Sequence, residues 1–201
     1  EPLWQVVGIE EDMFIPRANP DNLARSFVLD GSEHEQGFNG DGLDMFGVKW
    51  EYVEQAGGCM VRPGNPLLND ANEWKDKLVW PDVDSWGWEE TARTAKIFLK
   101  RDTAISCWFL NGWFERMLSF MHTEDALMAL VDEDQKDAIK GMFDKLSDLY
   151  IKIIDKYVEY FPEIDLFFVH DDWGSQKSPF FSPEVGAEMF VPYMRKVTDH
   201  I

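Results

Sequence analysis

Basic residues are scarce in this chain. Its 201 residues carry 19 Lys and Arg against 38 Asp and Glu, a formal charge of −19. That balance repels nucleic acid and anionic membrane, and both are set aside as partners. Cysteine is scarcer still. Only Cys59 and Cys107 occur, neither in a Cys-x-x-Cys pattern, so no disulfide framework is expected. No apolar run reaches the length of a membrane span and no signal peptide is visible, so a cytoplasmic location is expected. Internal repeats and low-complexity tracts are missing. The Gly-x-Gly-x-x-Gly fingerprint, the phosphate loop and the Gly-x-Ser-x-Gly elbow are missing too, and His34-Glu35 lacks the second His of a zinc-protease motif. The four His and two Cys show no metal-ligand spacing.

What is present is apolar and aromatic. Hydrophobic residues make up 45% of the chain, with nine Trp and fifteen Phe, enough for one substantial core and too much for disorder. A single domain over residues 1–201 is expected. Residues 1–84 read as an irregular start followed by a hairpin, and 85–201 as βα units. Phe46 to Val53 holds β-formers, Gln55-Ala-Gly-Gly58 turns, and Cys59 to Arg62 returns. A connector with a short helix follows over 70–84, then a helix from about Trp86 to Arg101. Thr103 to Leu110 is a continuously apolar strand that breaks at Asn111-Gly112. Helix resumes near Trp113 to Met121, and Thr123 is placed to cap another through Val131. Residues 132–161 form the longest helix, with apolar residues from Ile139 to Val158 at three- and four-residue spacing. Pro162 stops it. Residues 165–169 form a second strand, and Ser182-Pro183 starts a last helix running toward Ile201. Met117, Met121, Met128 and Met142 are read as core residues.

The order strand, helices, strand, helix implies parallel strands covered by helices. Both strands empty into polar loops, which would lie together at the C-terminal edge of the sheet, where α/β proteins bind ligands. At that edge stands His170-Asp171-Asp172-Trp173-Gly-Ser-Gln176. Asp171 and Asp172 are candidates for catalysis, one facing the site and the other bracing the loop, with helix capping as the alternative. His170, Trp173 and Gln176 are candidates for substrate contact, against plain packing or loop roles. On the neighbouring strand end, Asn111 offers donor and acceptor groups and Gly112 permits close backbone approach. Glu115 lies one helical turn further in, facing the cleft or paired with a nearby Lys or Arg.

Residues 103–200 resemble the uroporphyrinogen decarboxylase superfamily. The resemblance rests on Val169 to Gln176, on Phe181-Ser-Pro-Glu184, on Phe190-Val-Pro-Tyr193 and on Phe109 to Arg116, whose Gly and aromatic Trp113 match the family's strand-end loop. Asp44 to Val48 with Trp80-Pro-Asp82 resembles an anaerobe-type, decarboxylase-like branch. The resemblance implies a TIM-type (β/α)8 barrel, of which this chain would hold the N-terminal half, completed by a C-terminal half, a second chain or a homodimer. It implies Asp171, Asp172 and Asn111 as catalytic residues, and His170, Trp173, Gln176, Glu115 and Trp113 as substrate-binding ones. Two activities follow from it. A decarboxylase of porphyrin biosynthesis needs arginines for a polycarboxylate substrate, yet Arg17 and Arg25 are isolated and the family's Arg-Gln-Ala-Gly-Arg signature is missing. Methyl transfer in one-carbon metabolism, with a corrinoid on a partner protein and zinc held by ligands outside this chain, is therefore preferred. A non-catalytic binding or assembly subunit is the remaining expectation.

Overall fold

The Gly, Asn and Asp that make residues 1–45 read as irregular do not exclude strand. Glu35–Gln36 (β1) pairs antiparallel with Gly42–Leu43 (β2), β2 with Lys49–Val53 (β3), and β3 with Gly58–Val61 (β4). The computed structural model describes residues 35–36, 42–55, 58–95, 106–109 and 111–201. The expected hairpin is thus β3–β4, with Trp50 opposite Val61 and Tyr52 opposite Cys59. The link from β2 to β3 turns at Gly47, whose φ of +77° is costly for any residue with a Cβ. Asp44 shapes the same turn, its Oδ1 accepting the Phe46 and Val48 N–H groups at 2.9 Å each.

The connector contains a 3-10 turn over Ala71–Glu73, capped by the Asp70 carboxylate, then Trp74–Lys77 (α1) and a second 3-10 turn over Val83–Ser85. Trp88–Ala95 (α2) follows. The expected continuation of that helix to Arg101 lies outside the described residues. Then come Ser106–Phe109 (β5), Trp113–Phe120 (α3), Thr123–Ala129 (α4), Lys136–Tyr160 (α5) and Leu166–Val169 (β6). Thr123 begins α4 rather than capping it; the N-cap is His122, without a side-chain bond. Met117, Met121 and Met142 are buried, but Met128 is 66% exposed on the outer side of α4.

The last expected helix is two. Pro183–Met189 (α6) starts at Ser182, whose Oγ accepts the Val185 N–H at 3.3 Å, and Val191–Thr198 (α7) follows a break at Phe190. Pro192 explains the break, because it has no N–H and its ring excludes the carbonyl one turn back. Among the described residues no helix is long and apolar enough to cross a membrane.

The core is the apolar stripe of α5, including Ile139, Phe143, Leu146, Tyr150 and Ile153, packed against β5, α3 and α7. Burying each such side chain contributes ~1.5–3 kcal/mol. β5 and β6 pair in parallel, Ser106 with Leu166 through Phe109 with Val169, with α3, α4 and α5 as the connection. Cys107 and Phe109 face the core, and Phe167 and Val169 pack on it. Leu166 and Phe168 alternate to the other face and are 46% and 41% exposed.

Candidate functional site at the ends of the parallel strands

The two strand ends meet closely. The His170 N–H donates to the Phe109 carbonyl at 2.8 Å, extending the β5–β6 pairing by one rung. Gly112 then backs onto the residues after β6. A Cβ there would stand 2.5 Å from Cβ and Cγ of Asp171 and 2.7 Å from the His170 carbonyl, so the approach requires glycine.

The N-cap of α3 is Gly112, which has no side chain to satisfy the first helical N–H groups. Asp171 supplies the cap from the other strand end. Its Oδ2 accepts the Phe114 N–H at 3.0 Å and its Oδ1 the Glu115 N–H at 2.9 Å. Trp173 Nε1 donates to the same carboxylate at 2.8 Å. Burial pushes the Asp171 carboxyl above its ordinary range, opposed by those three donors, which favour the charged form. The helix dipole also favours a negative group at this end. Asp171 is the residue that braces the loop.

Fixing the first turn of α3 places Glu115. Its Oε2 lies 2.9 Å from His170 Nδ1, and His170 Nε2 lies 3.3 Å from Asp172 Oδ1. Side-chain exposure is graded across the three, at 21% for Glu115, 38% for His170 and 70% for Asp172. Burial raises the Glu115 carboxyl above the usual carboxylate range. The His170 hydrogen bond opposes this, and the charges of Asp171 and Asp172 add to it. The Phe168 ring sits beside the imidazole at 6.4 Å between centroids.

The other expected site residues spread around this centre. Asn111 is buried at the end of β5, and its carbonyl accepts the Tyr150 hydroxyl. Trp113 has no exposed surface and donates to Ser147 Oγ at 3.0 Å, inside the core between α3 and α5. Trp173 is half-buried against Phe181 and Phe190, with ring centroids at 5.6 and 5.4 Å. It borders a largely apolar cavity of about 710 Å³ that Gln176, Phe181, Gly186 and Val191 also line. Glu115, His170 and Asp172 are not among the lining residues, so the cavity lies on the far side of Trp173. The structure therefore joins Glu115, His170, Asp171 and Asp172, places Trp173 at their border, and sets Trp113 and Gln176 apart.

Sequence reasoning missed the charge next door. Arg116 is fully buried, its guanidinium 2.6 Å from Asp44 Oδ2 and 5.3 Å from the centre of the Phe46 ring. Trp50 Nε1 donates to the same oxygen at 3.0 Å. The available signal was an Arg on the apolar stripe formed by Trp113, Met117 and Phe120, a place where a cation needs a buried carboxylate.

Comparison of the chain with protein-family models, with curated proteins and with solved structures returns no match in any of the three. Among the described residues no three His, Cys, Asp or Glu side chains are placed to hold a metal ion. In the strand-end cluster both imidazole nitrogens face carboxylates rather than a shared point. These residues do not fit a zinc site.

Proposed function

We propose that this chain forms part of a (β/α)8 barrel of the uroporphyrinogen decarboxylase superfamily and serves methyl transfer, with a corrinoid protein as partner. The observation that carries this reading is the junction of the two strand ends. Parallel β5 and β6 bring Asn111, Glu115, His170, Asp171 and Asp172 to one edge, with Gly112 in contact with Asp171. In parallel α/β folds that edge is where ligands bind. The partial exposure of Leu166 and Phe168 on β6, at 46% and 41%, supports further elements packing over the sheet, since exposed apolar strand residues are otherwise unfavourable.

The choice of methyl transfer over decarboxylation follows from charge. A polycarboxylate substrate needs accessible arginine, and Arg116, the one adjacent to Glu115, is sealed against Asp44 with no exposed surface. Glu115, His170 and Asp172 reach solvent at the strand ends. Such a site repels a polyanion and suits a neutral acceptor whose proton must be removed.

The test is to incubate the protein with methylcobalamin and mercaptoethanol and follow loss of the methyl–cobalt absorbance, with uroporphyrinogen in a parallel reaction. Thiol-dependent demethylation with unchanged uroporphyrinogen is expected. Uroporphyrinogen consumption without demethylation would replace this reading with the decarboxylase. Inactivity in both reactions would favour a binding or assembly subunit.

A further inference from the structure

We infer that the cavity beyond Trp173 binds a small aromatic carboxylate, its rings against Trp173 and Phe181 and its anionic end toward Lys177. Such a site stands apart from the methyl-transfer reading and does not rest on it.

Two short pieces of chain build the cavity. Residues 173–180 double back on themselves: the Ser175 N–H donates to the Ser178 carbonyl at 2.8 Å, and the Phe180 N–H to the Trp173 carbonyl at 2.9 Å. Gly174 lets the two limbs close, since a Cβ there would stand 3.1 Å from Pro179 Cα and from the Ser178 carbonyl oxygen. Gln176 and Lys177 are left at the tip. The second piece is α6, on which Gly186 is buried. A Cβ at Gly186 would meet the Phe181 ring at 3.4 Å and the Trp173 ring at 3.8 Å, so glycine lets both rings lie close to the helix.

The aromatic walls are held by the protein itself. Trp173 is fixed by its 2.8 Å bond from Nε1 to Asp171, and Phe181 stacks on the buried Phe190 with centroids 4.8 Å apart. A hollow of about 710 Å³ with such walls has the size and the preformed character of a small-molecule site. Its length is limited by α6, whose seven residues span roughly 10 Å. A body of one or two rings fits that length and a long alkyl chain does not. Flat ring walls favour an aromatic partner, through offset and edge-to-face contacts.

Charge decides the polar end of the ligand. The chain has twice as many acidic as basic residues, 38 against 19, and Asp172, Glu184 and Glu188 are sequence neighbours of residues that line the cavity. Yet among the described lining residues Lys177 carries the only formal charge. An apolar hollow without acids, and with an ammonium group at its rim, complements one carboxylate and disfavours a cation. The first turn of α6 plays no part in holding the anion. Ser182 Oγ already accepts the Val185 N–H there, and Glu184 stands beside it.

The test compares three ligands on one ring system, naphthoate, naphthylmethanol and naphthylmethylamine, all substituted at the same carbon. Each is titrated into the whole protein and followed by NMR at the Trp173 indole N–H, assigned through Trp173→Phe. Saturable binding is expected, tightest for naphthoate and weakest for the amine. Lys177→Gln, at an exposed loop tip, should weaken naphthoate about 5-fold and leave the alcohol unchanged. Ala187→Trp fills the cavity from an exposed position on α6 and should abolish binding of all three. Should that variant fold poorly, the Lys177→Gln comparison decides. No saturable shift, an amine bound as tightly as the acid, no loss for naphthoate in Lys177→Gln, or binding that survives in folded Ala187→Trp overturns the site. Light scattering covers the rival occupant: a dimer that Ala187→Trp converts to monomer would mean that a second copy fills the cavity, and overturns the site as well. The mercaptoethanol assay has no bearing on these outcomes, so the site and the methyl-transfer reading fail separately.

Discussion

Glu115 and Arg116 are consecutive on α3, about 100° apart around the helix, and their surroundings could hardly differ more. Arg116 points into the core, where Asp44 gives it a carboxylate that also holds Trp50 and two backbone N–H groups. Glu115 points to the strand ends, where its partner His170 is 38% exposed and the next carboxylate, Asp172, mostly solvated. Both are acid–base pairs at similar separations. The buried one has its carboxylate saturated by donors and cannot exchange them, so it acts as a staple between the β2–β3 turn and α3. The open one lies at the solvent boundary, its imidazole between a part-buried carboxylate and an exposed one.

The largest effect should come from breaking the staple. Asp44→Ala removes the carboxylate bonded to the buried Arg116 guanidinium and should lower unfolding free energy by ~3–5 kcal/mol in urea titrations. Replacing both partners, as Asp44→Leu with Arg116→Met, should recover much of that loss, because the desolvation of two charges disappears as well. If the double variant is no better than Asp44→Ala, the hydrogen bonds of Asp44 rather than its charge hold the turn.

Gly112→Ala attacks the seam between the two regions. The glycine has an ordinary φ of −75°, so any damage comes from the Cβ meeting Asp171 and His170, not from backbone strain. A loss of ~1–3 kcal/mol is expected, with the His170 environment shifted in NMR spectra. Asp171→Ala should weaken folding by ~1–2 kcal/mol as α3 loses its cap. Hydrogen exchange should localise that effect, with the Phe114 and Glu115 amides speeding up first. Uniform exchange would mean that the cap is not what Asp171 contributes.

The smallest effect is the most specific to the open pair. Burial raises the Glu115 carboxyl in the folded state, so the folded protein holds that proton more tightly than the unfolded chain. Its contribution to stability is therefore fully present below the ordinary glutamate range and is lost as pH rises through the raised folded value. Asp171 has the same sign. Glu115→Gln removes the first of these titrations. Its melting temperature relative to the unaltered protein should improve as pH rises above the ordinary glutamate range. A difference that stays flat as pH rises would show Glu115 to be no more desolvated than a surface acid.

Much of the local structure was legible in the chain. The apolar spacing from Ile139 onward, the Ser182-Pro183 start and the break at Asn111-Gly112 all correspond to elements that form where local chemistry favours them. Less legible were features that depend on a partner far along the chain. The β1–β2 pairing lies in a segment with no alternation to reveal it. Phe190 divides a helix whose apolar residues continue past the break. Asp171 and Asp172 are adjacent and of one residue type, yet one is sealed against three donors and the other is exposed.

By itself the sequence determined that carboxylates and a histidine would end an apolar strand, because the change from apolar to polar residues is local and strands end where it occurs. It also determined that a glycine would be available at the facing strand end. Only the tertiary structure decided which acid would act as cap and which as partner to the imidazole. That division depends on which oxygen atoms meet the first N–H groups of α3, and those groups are brought to Asp171 by the parallel pairing of β5 and β6 across more than fifty intervening residues.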